Sequence, residues 1–208
     1  VIADFTATKL MLKSIVSKVC RKYKIYKPRV VVGVPSGITE VERRAVEEAI
    51  LSSGAGNVYL VDEPMAAAIG SGLNTSEPTG NIIVDIGGGT TEVAVISLGG
   101  IVVSESLKVA GDEITDDIIN YAKKNLGIVI GEVTGENIKK QLACAKPLVT
   151  EESMEIRGRD IVTGLPVIKK ITSTDVGLAI HDSLLKIVEA IKNCLEQTPP
   201  ELLSDIAI

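Results

Sequence analysis

Residues 81–95 read NIIVDIGGGTTEVAV, and this stretch decides the fold of the chain. The aliphatic run Asn81–Ile86 predicts a buried strand, and residues 91–98 predict a second strand. The three glycines between them let the backbone turn sharply and bring its N–H groups close to a ligand, an arrangement that binds phosphate. Gly99-Gly100 suits a hairpin turn before a third strand at 101–109. We therefore predict a three-stranded antiparallel meander with a glycine loop at its first turn.

The glycine loop alone leaves two interpretations open. Asp85 ends the first strand, where a carboxylate can hold Mg²⁺ through water beside bound phosphates, but it can equally serve as a turn former in an ordinary hairpin. Two better-known nucleotide motifs do not fit this loop. The sequence contains no GxxxxGK[ST], and a strand is predicted where GxGxxG requires a helix.

The residues before the meander predict alternating helices and strands. A helical pattern at 4–22 is followed by aliphatic runs at 30–34 and 57–61, which are typical of strands buried on both faces. Thr39 and Glu42 have the spacing of a capping box that opens a helix between these runs. This alternation indicates an α/β unit with a parallel sheet.

The residues after the meander predict three helices and two further strands. The helices are expected from Gly111 to about 125, from about 134 to 143, and from a second capping box, Thr172 with Asp175, to just before Pro199. The strands are expected near 153–157 and 166–171. The final residues, 206–208, look like a strand entering a core, so we expect the chain to be a fragment.

Composition excludes several classes of protein. Of the 208 residues, 45% are hydrophobic and 24% are charged, which excludes wholesale disorder. The 2% aromatic content and the net charge of −5 argue against a nucleic-acid partner. No apolar run approaches the roughly eighteen residues of a membrane-spanning helix. The widely spaced Cys20, Cys144 and Cys194 and the single His181 suit neither a disulfide framework nor a zinc centre, and they receive no role.

Three further features each have a functional and a structural interpretation. Glu63 could orient a water for attack on a phosphoryl group, but its spacing favours a helix cap ahead of Pro64. Glu136 and Lys139 could hold a ribose, but an exposed ion pair is commoner. The basic stretch 21–29 surrounds the pair at 25–26 and could meet an anionic membrane, but the residues alone favour a solvated loop.

Taken together, these pieces resemble the actin/chaperone/sugar-kinase ATPase superfamily and, within it, the MreB family of bacterial actin-like cell-shape proteins. The resemblance covers essentially the whole chain. It is carried by VPSGIT at 34–39 with ERR at 42–44, DEPMAAAIG at 62–70, the glycine stretch at 85–95, AGDE at 110–113 and TPPEL at 198–202.

The resemblance implies an α/β fold of actin-like, ribonuclease-H-like lobes. Residues 1–78 would form part of the first lobe, residues 79–112 and 172–208 the core of the second, and residues 113–171 an inserted subdomain. The fragment would lack an N-terminal phosphate loop and a C-terminal nucleoside loop.

The resemblance also implies the site residues. Asp85 would hold hydrated Mg²⁺, and Gly87, Gly88 and Gly89 would wrap the β- and γ-phosphates of ATP. Glu63, the first-choice catalytic residue, and Thr90 would position the attacking water. The nucleoside pocket would be lined by Gly111, Asp112, Glu136, Asn137, Ile138 and Lys139, and Ile25 with Tyr26 would insert into a membrane.

The implied protein binds ATP between two lobes, assembles into paired protofilaments and hydrolyses ATP to ADP. It would act in the cytoplasm at the inner face of the cell membrane, together with cell-shape and cell-wall-synthesis proteins. The isolated fragment would hydrolyse ATP poorly. The alternatives are a chaperone-type nucleotide-binding domain, a sugar kinase of the same superfamily, and an assembly module with a vestigial nucleotide site.

Overall fold

The computed structural model describes residues 5–20, 27–146 and 148–206. The chain divides into two compact units. The first unit comprises Val1–Asp85, Glu92–Ser106 and Cys194–Ile208, and the second unit comprises Ile86–Thr91 and Leu107–Asn193. The division into lobes and an inserted subdomain, which follows the family resemblance, stays a prediction.

The first unit begins with the predicted α/β pattern. Its elements are α1 (Phe5–Val19), β1 (Arg29–Val34), α2 (Glu40–Ser52), β2 (Asn57–Asp62) and α3 (Glu63–Gly70). Strands β1 and β2 pair in parallel, as predicted, and Val34 lies opposite Asp62. The Thr39 side chain and the Glu42 side chain form the predicted capping box at the start of α2.

The expectation that β1 and β2 are buried on both faces is wrong. Val31 and Tyr59 are partners across the pair, yet they are 66% and 49% exposed. The alternate residues of these strands pack on a core that contains Val34, Val46 and Ile50. Because this core covers one face of the two-stranded sheet, the aliphatic run alternates between buried and exposed positions.

The glycine stretch forms the predicted three-stranded sheet of β3 (Asn81–Ile86), β4 (Thr91–Ser97) and β5 (Gly100–Leu107), in that order. The short connections between these strands require antiparallel neighbours, since parallel strands need a long crossover. Leu98 and Gly99 have φ values of 51° and 73°, the positive values that a tight hairpin turn with a right-handed twist requires. The turn is thus centred one residue before the predicted Gly99-Gly100.

The second unit contains most of the remaining elements. They are α4 (Gly111–Asn125), β6 (Ile128–Val129), α5 (Glu132–Leu142), β7 (Ser153–Asp160), β8 (Pro166–Thr172) and α6 (Ser173–Glu196), whose end belongs to the first unit. Strands β6, β7 and β8 form an antiparallel sheet. Helices α4, α5 and α6 contribute Ile118, Ile138 and Val176 to the core beneath this sheet. The two residues of β6 are too few to leave a recognisable pattern.

The expected strand at the end of the chain is wrong for the part that the structure describes. Ile206 ends a seventh helix, α7 (Pro200–Ile206). Pro200 opens this helix because its missing N–H lies where no intrahelical partner exists. The backbone N–H of Gly80 donates to the Asp205 carboxylate at 2.8 Å, which ties α7 to the start of β3.

Within the described ranges, no helix has both the length and the hydrophobicity needed to cross a membrane.

Candidate functional site

A cavity of about 890 Å³ opens in the second unit beside the glycine loop, α4 and α5. Of the residues predicted to bind nucleotide, seven line this cavity: Gly87, Gly88, Gly111, Asp112, Glu136, Asn137 and Lys139. The structure therefore brings a loop predicted for phosphate together with residues predicted for the nucleoside. Their roles toward a ligand stay predictions.

The glycine loop is joined to the start of α4 by backbone hydrogen bonds. Gly87 donates to the Thr90 carbonyl at 2.9 Å and closes the turn. The first two N–H groups of α4, from Gly111 and Asp112, donate to the carbonyls of Gly87 and Gly88 at 3.0 and 2.8 Å. These N–H groups have no partner within their own helix, so the loop carbonyls satisfy them.

Gly111 leaves little room for a side chain. A Cβ atom added there would lie 3.2 Å from the Gly87 carbonyl oxygen and 3.3 Å from Nζ of Lys139. A side chain at this position would require the Gly87 carbonyl or the Lys139 ammonium to move by a few tenths of an ångström.

Lys139 and Glu136 form a network across α4 and α5. The Lys139 ammonium lies 2.6 Å from Oε2 of Glu136 and donates to the Thr115 hydroxyl at 3.0 Å and to the Gly111 carbonyl at 2.7 Å. The Thr115 hydroxyl donates to Glu136 at 2.9 Å. The Lys139 side chain is 19% exposed, so this is a half-buried network and not the exposed ion pair of the alternative interpretation.

The network controls the charge of Glu136. Hydrogen bonds from Lys139 and then from Thr115 lower the pKa of the Glu136 carboxyl from 4.5 to about 2. At neutral pH the carboxylate remains an acceptor in the wall of the cavity, which is the chemistry that a ribose hydroxyl requires.

Some of the predicted residues do not line the cavity. Ile138 is wholly buried in the core of the second unit, because it lies on the face of α5 opposite Glu136. Gly89 and Thr90 belong to the glycine loop without lining the cavity. Ile25 and Tyr26 lie outside the described residues.

Sequence reasoning missed several residues that line the cavity: Thr115, Asp116, Glu132, Val133 and Lys140. A signal for Thr115 was present, because it lies four residues after Gly111 in the same helix, and residues at that spacing share a face.

Glu63 lies at the junction of β2 and α3 in the first unit. Burial first, and then the negative charges of Glu92 and Asp85, raise the pKa of the Glu63 carboxyl above its usual value. A raised pKa makes a carboxylate a better proton acceptor, so the electrostatics of Glu63 suit a general base better than a simple helix cap. In addition, the Asp62 side chain accepts no hydrogen bond from the N–H groups at the start of α3.

Asp85 lies near the C-terminal end of β3. In the described part of the chain, no group of three or more His, Cys, Asp or Glu residues is arranged to hold a metal ion. Mg²⁺ commonly uses one or two carboxylates, several waters and the phosphates of its substrate. Asp85 thus fits a Mg²⁺ ion that arrives with a nucleotide better than it fits a dedicated protein metal site.

Comparison with known proteins gives the family. The family model described as MreB/Mbl protein matches residues 1–208. The cell shape-determining protein Mbl of Bacillus subtilis (strain 168) is 48% identical over 206 residues, covering 99% of this chain and 62% of Mbl. The cell shape-determining protein MreB of Escherichia coli (strain K12) is 48% identical over 208 residues, covering 100% of this chain and 60% of that MreB.

Solved structures agree with these relatives. MreB5 of Spiroplasma citri bound to ADP superposes with a TM-score of 0.93 at 42% identity, covering 99% of this chain and 62% of MreB5. The MamK double helical filament has a TM-score of 0.78 at 21% identity, covering 98% of this chain and 60% of MamK, which shows a shared fold.

The fold is that of the actin-like ATPases, as the sequence resemblance implied. The chain belongs to the MreB/Mbl family. It spans about three fifths of the length of the curated relatives it matches.

Proposed function

We propose that the natural protein is an ATP-hydrolysing actin-like cytoskeletal protein. It forms membrane-associated filaments that maintain rod cell shape by organising cell-wall synthesis. Relatives that are 48% identical are named cell shape-determining proteins. Structures of MreB5 are described as bound to ADP and to AMPPNP. Family membership favours this function over a chaperone-type domain or a sugar kinase.

The observation that carries the proposal is the cavity of the second unit. It combines the backbone of Gly87 and Gly88 with the carboxylate of Glu136 and the stem of Lys139. Glycine backbone can approach phosphate closely, and a charged carboxylate can accept hydrogen bonds from ribose hydroxyls. The aliphatic part of Lys139 can pack against a base while its ammonium stays bound to Glu136.

The proposed reaction is phosphoryl transfer to water. A water oxygen forms a bond to the γ-phosphorus, the bond from that phosphorus to the bridging oxygen of ADP breaks, and the water proton passes to the Glu63 carboxylate. Thr90 orients the water through its hydroxyl. Mg²⁺ held through water by Asp85 would neutralise charge on the β- and γ-phosphates. Positioning and electrostatics supply the rate enhancement, and no covalent enzyme intermediate is needed.

The test uses the complete natural protein, with Glu63→Gln as the variant and Glu48→Gln, on the exposed face of α2, as the matched control. We expect the wild type and the control to sediment with Mg-ATP and to release phosphate. Glu63→Gln should still sediment and bind nucleotide, while phosphate release falls roughly 10²–10⁴-fold.

Phosphate release by Glu63→Gln at the wild-type rate would overturn the assignment of the catalytic residue. If the wild type turns over ATP without nucleotide-dependent sedimentation, the filament function fails and the chaperone and kinase alternatives gain support.

A further inference from the structure

Strand β4 carries a buried carboxylate that the proposed reaction does not use. Glu92 is 1% exposed, and every residue of β4 is buried. An isolated carboxylate in such surroundings is very unfavourable, so it must be hydrogen-bonded or paired. Here the Glu92 carboxylate accepts hydrogen bonds from the Ser36 hydroxyl at 2.8 Å, from the Ser36 N–H at 3.4 Å and from the Ser106 hydroxyl at 2.5 Å.

The donors of Glu92 connect separate parts of the first unit. Ser36 lies two residues after the end of β1, and Ser106 lies near the end of β5. A carboxylate on β4 therefore holds the segment that leaves β1 against the three-stranded sheet.

The segment held by Glu92 adjoins Glu63. Strands β1 and β2 run parallel with Val34 opposite Asp62, so the residues that follow them lie at one edge of the sheet. Glu63 comes directly after Asp62. A Cβ atom added to Gly33 would lie 3.2 Å from Cγ of Glu63, so the Glu63 side chain packs directly over β1.

We propose that Glu92 is a positioning residue for Glu63: with Ser36 and Ser106 it fixes the end of β1 and sets both the place and the ionic surroundings of the Glu63 carboxylate. The inference rests on the proposed function, in which Glu63 accepts a proton from the attacking water.

Electrostatics support this role and separate it from a purely structural one. After burial, the negative charge of Glu92 is the next cause that raises the pKa of Glu63. Glutamine has almost the same shape as glutamate and would satisfy a structural need for hydrogen bonds without placing a charge in the core. The negative charge of Glu92, and not only its hydrogen bonds, makes Glu63 a better proton acceptor.

The experiment measures phosphate release against pH, and the affinity for a non-hydrolysable ATP analogue, in the complete natural protein. Glu92→Gln removes the charge and keeps the side-chain length. We expect the acid limb of its kcat/KM profile to move to lower pH and its kcat to fall about tenfold, with analogue affinity unchanged. Glu92→Asp keeps the charge, so its acid limb should stay nearer that of the wild type.

Ser106→Ala is a milder variant for use if Glu92→Gln does not fold. It removes one hydrogen-bond donor to Glu92 and leaves the charge of Glu92 unchanged. We therefore expect kcat to fall while the acid limb of the kcat/KM profile stays in place. Glu48→Gln again serves as the control with wild-type behaviour.

The Glu63→Gln variant distinguishes failure of the proposed catalytic role of Glu63 from failure of the positioning role of Glu92. If that variant retains turnover, the proposed catalytic role of Glu63 fails. If Glu63→Gln loses turnover but the pH profile of Glu92→Gln matches that of the wild type, the positioning role of Glu92 is overturned and the catalytic role of Glu63 stands. The same conclusion follows if turnover in the Glu92 and Ser106 variants falls only in proportion to their folded fraction.

Discussion

The ammonium of Lys139 donates to the backbone carbonyl of Gly111 at 2.7 Å and thereby joins α5 to the first residue of α4. Thr115 and Glu136 accept from the same ammonium. An ammonium has three N–H donors, so this contact set can occupy all of them. Lys139 is thus held in the cavity wall by these contacts, and the Glu136 carboxylate remains a hydrogen-bond acceptor in that wall.

Replacing Glu136 with Gln should weaken nucleotide binding. The glutamine amide is a poorer acceptor for ribose hydroxyls than the carboxylate is, and Lys139 loses its charged partner. We expect the affinity for a fluorescent ATP analogue to fall about tenfold, the effect of one charge-assisted hydrogen bond. Glu189→Gln, on the exposed face of α6, is the matched control. Equal affinity of both variants would contradict a ribose-binding role for Glu136.

The stability contributed by Glu136 should depend on pH in the acid range. Its pKa is about 2 in the folded protein and 4.5 in the unfolded chain, so the folded state favours the charged form. The contribution is therefore fully present above about pH 4.5 and is lost as pH falls toward 2. Urea unfolding midpoints from pH 3 to pH 7 should show the difference between the wild type and Glu136→Gln shrinking below pH 4.5.

Lys139→Met supplies the second half of this test. The hydrogen bond from Lys139 is the largest cause of the lowered pKa of Glu136, so its removal should move the loss of stability toward higher pH. A difference between the wild type and Glu136→Gln that stays constant down to pH 3 would show that the network does not hold this pKa down.

Two glycines in helices of the second unit should respond oppositely to alanine. At Gly135 a Cβ atom would lie 2.8 Å from Cγ1 of Ile119 and 3.1 Å from Cγ2 of Thr115, so Gly135→Ala should destabilise by about 1–3 kcal/mol. At Gly177 in α6 an added Cβ atom would meet nothing within 4 Å beyond its chain neighbours and the backbone of its own helix, so Gly177→Ala should stabilise by about 0.5–1 kcal/mol. Thermal unfolding checks both, and a neutral Gly135→Ala would mean that α4 and α5 separate easily.

Ile25→Ser combined with Tyr26→Ser should abolish binding to anionic liposomes while leaving Mg-ATP-dependent filaments intact. The reason is that the stretch 21–29 combines an apolar pair, whose insertion into lipid favours membrane binding, with basic residues that are attracted to the negative surface. Co-sedimentation with vesicles measures this, and Leu178→Ser, at an exposed apolar position of α6, is the control. Undiminished vesicle binding by the double variant would remove this pair from the membrane contact.

Local rules made part of the structure predictable. The capping boxes at Thr39 and Thr172 are both present, because a side-chain oxygen and a backbone N–H three residues later are fixed by the chain itself. The start of α4 at Gly111 and the hairpin around the glycine loop follow from equally local chemistry.

The features that could not be predicted depend on contacts between residues that are distant in the sequence. Glu136 and Ile138 lie on the same short helix, and only the position of α4 and the sheet decides that one faces the cavity and the other the core. In the sequence Glu92 is one polar residue in a predicted strand, and its hydrogen bonds come from Ser36 and Ser106, which belong to other elements of the fold. The exposure of Val31 likewise reflects which face of a sheet the core covers.

The hydrogen bonds from Gly111 and Asp112 to the carbonyls of Gly87 and Gly88 have a mechanical consequence. They join the glycine loop to the first turn of α4, and the Thr115 hydroxyl, which donates to Glu136, joins α4 to α5. In the proposed nucleotide site, the phosphate-binding glycine loop and the ribose-binding Glu136 would therefore be coupled through α4, so we expect loss of the terminal phosphate to weaken binding of the remaining nucleotide.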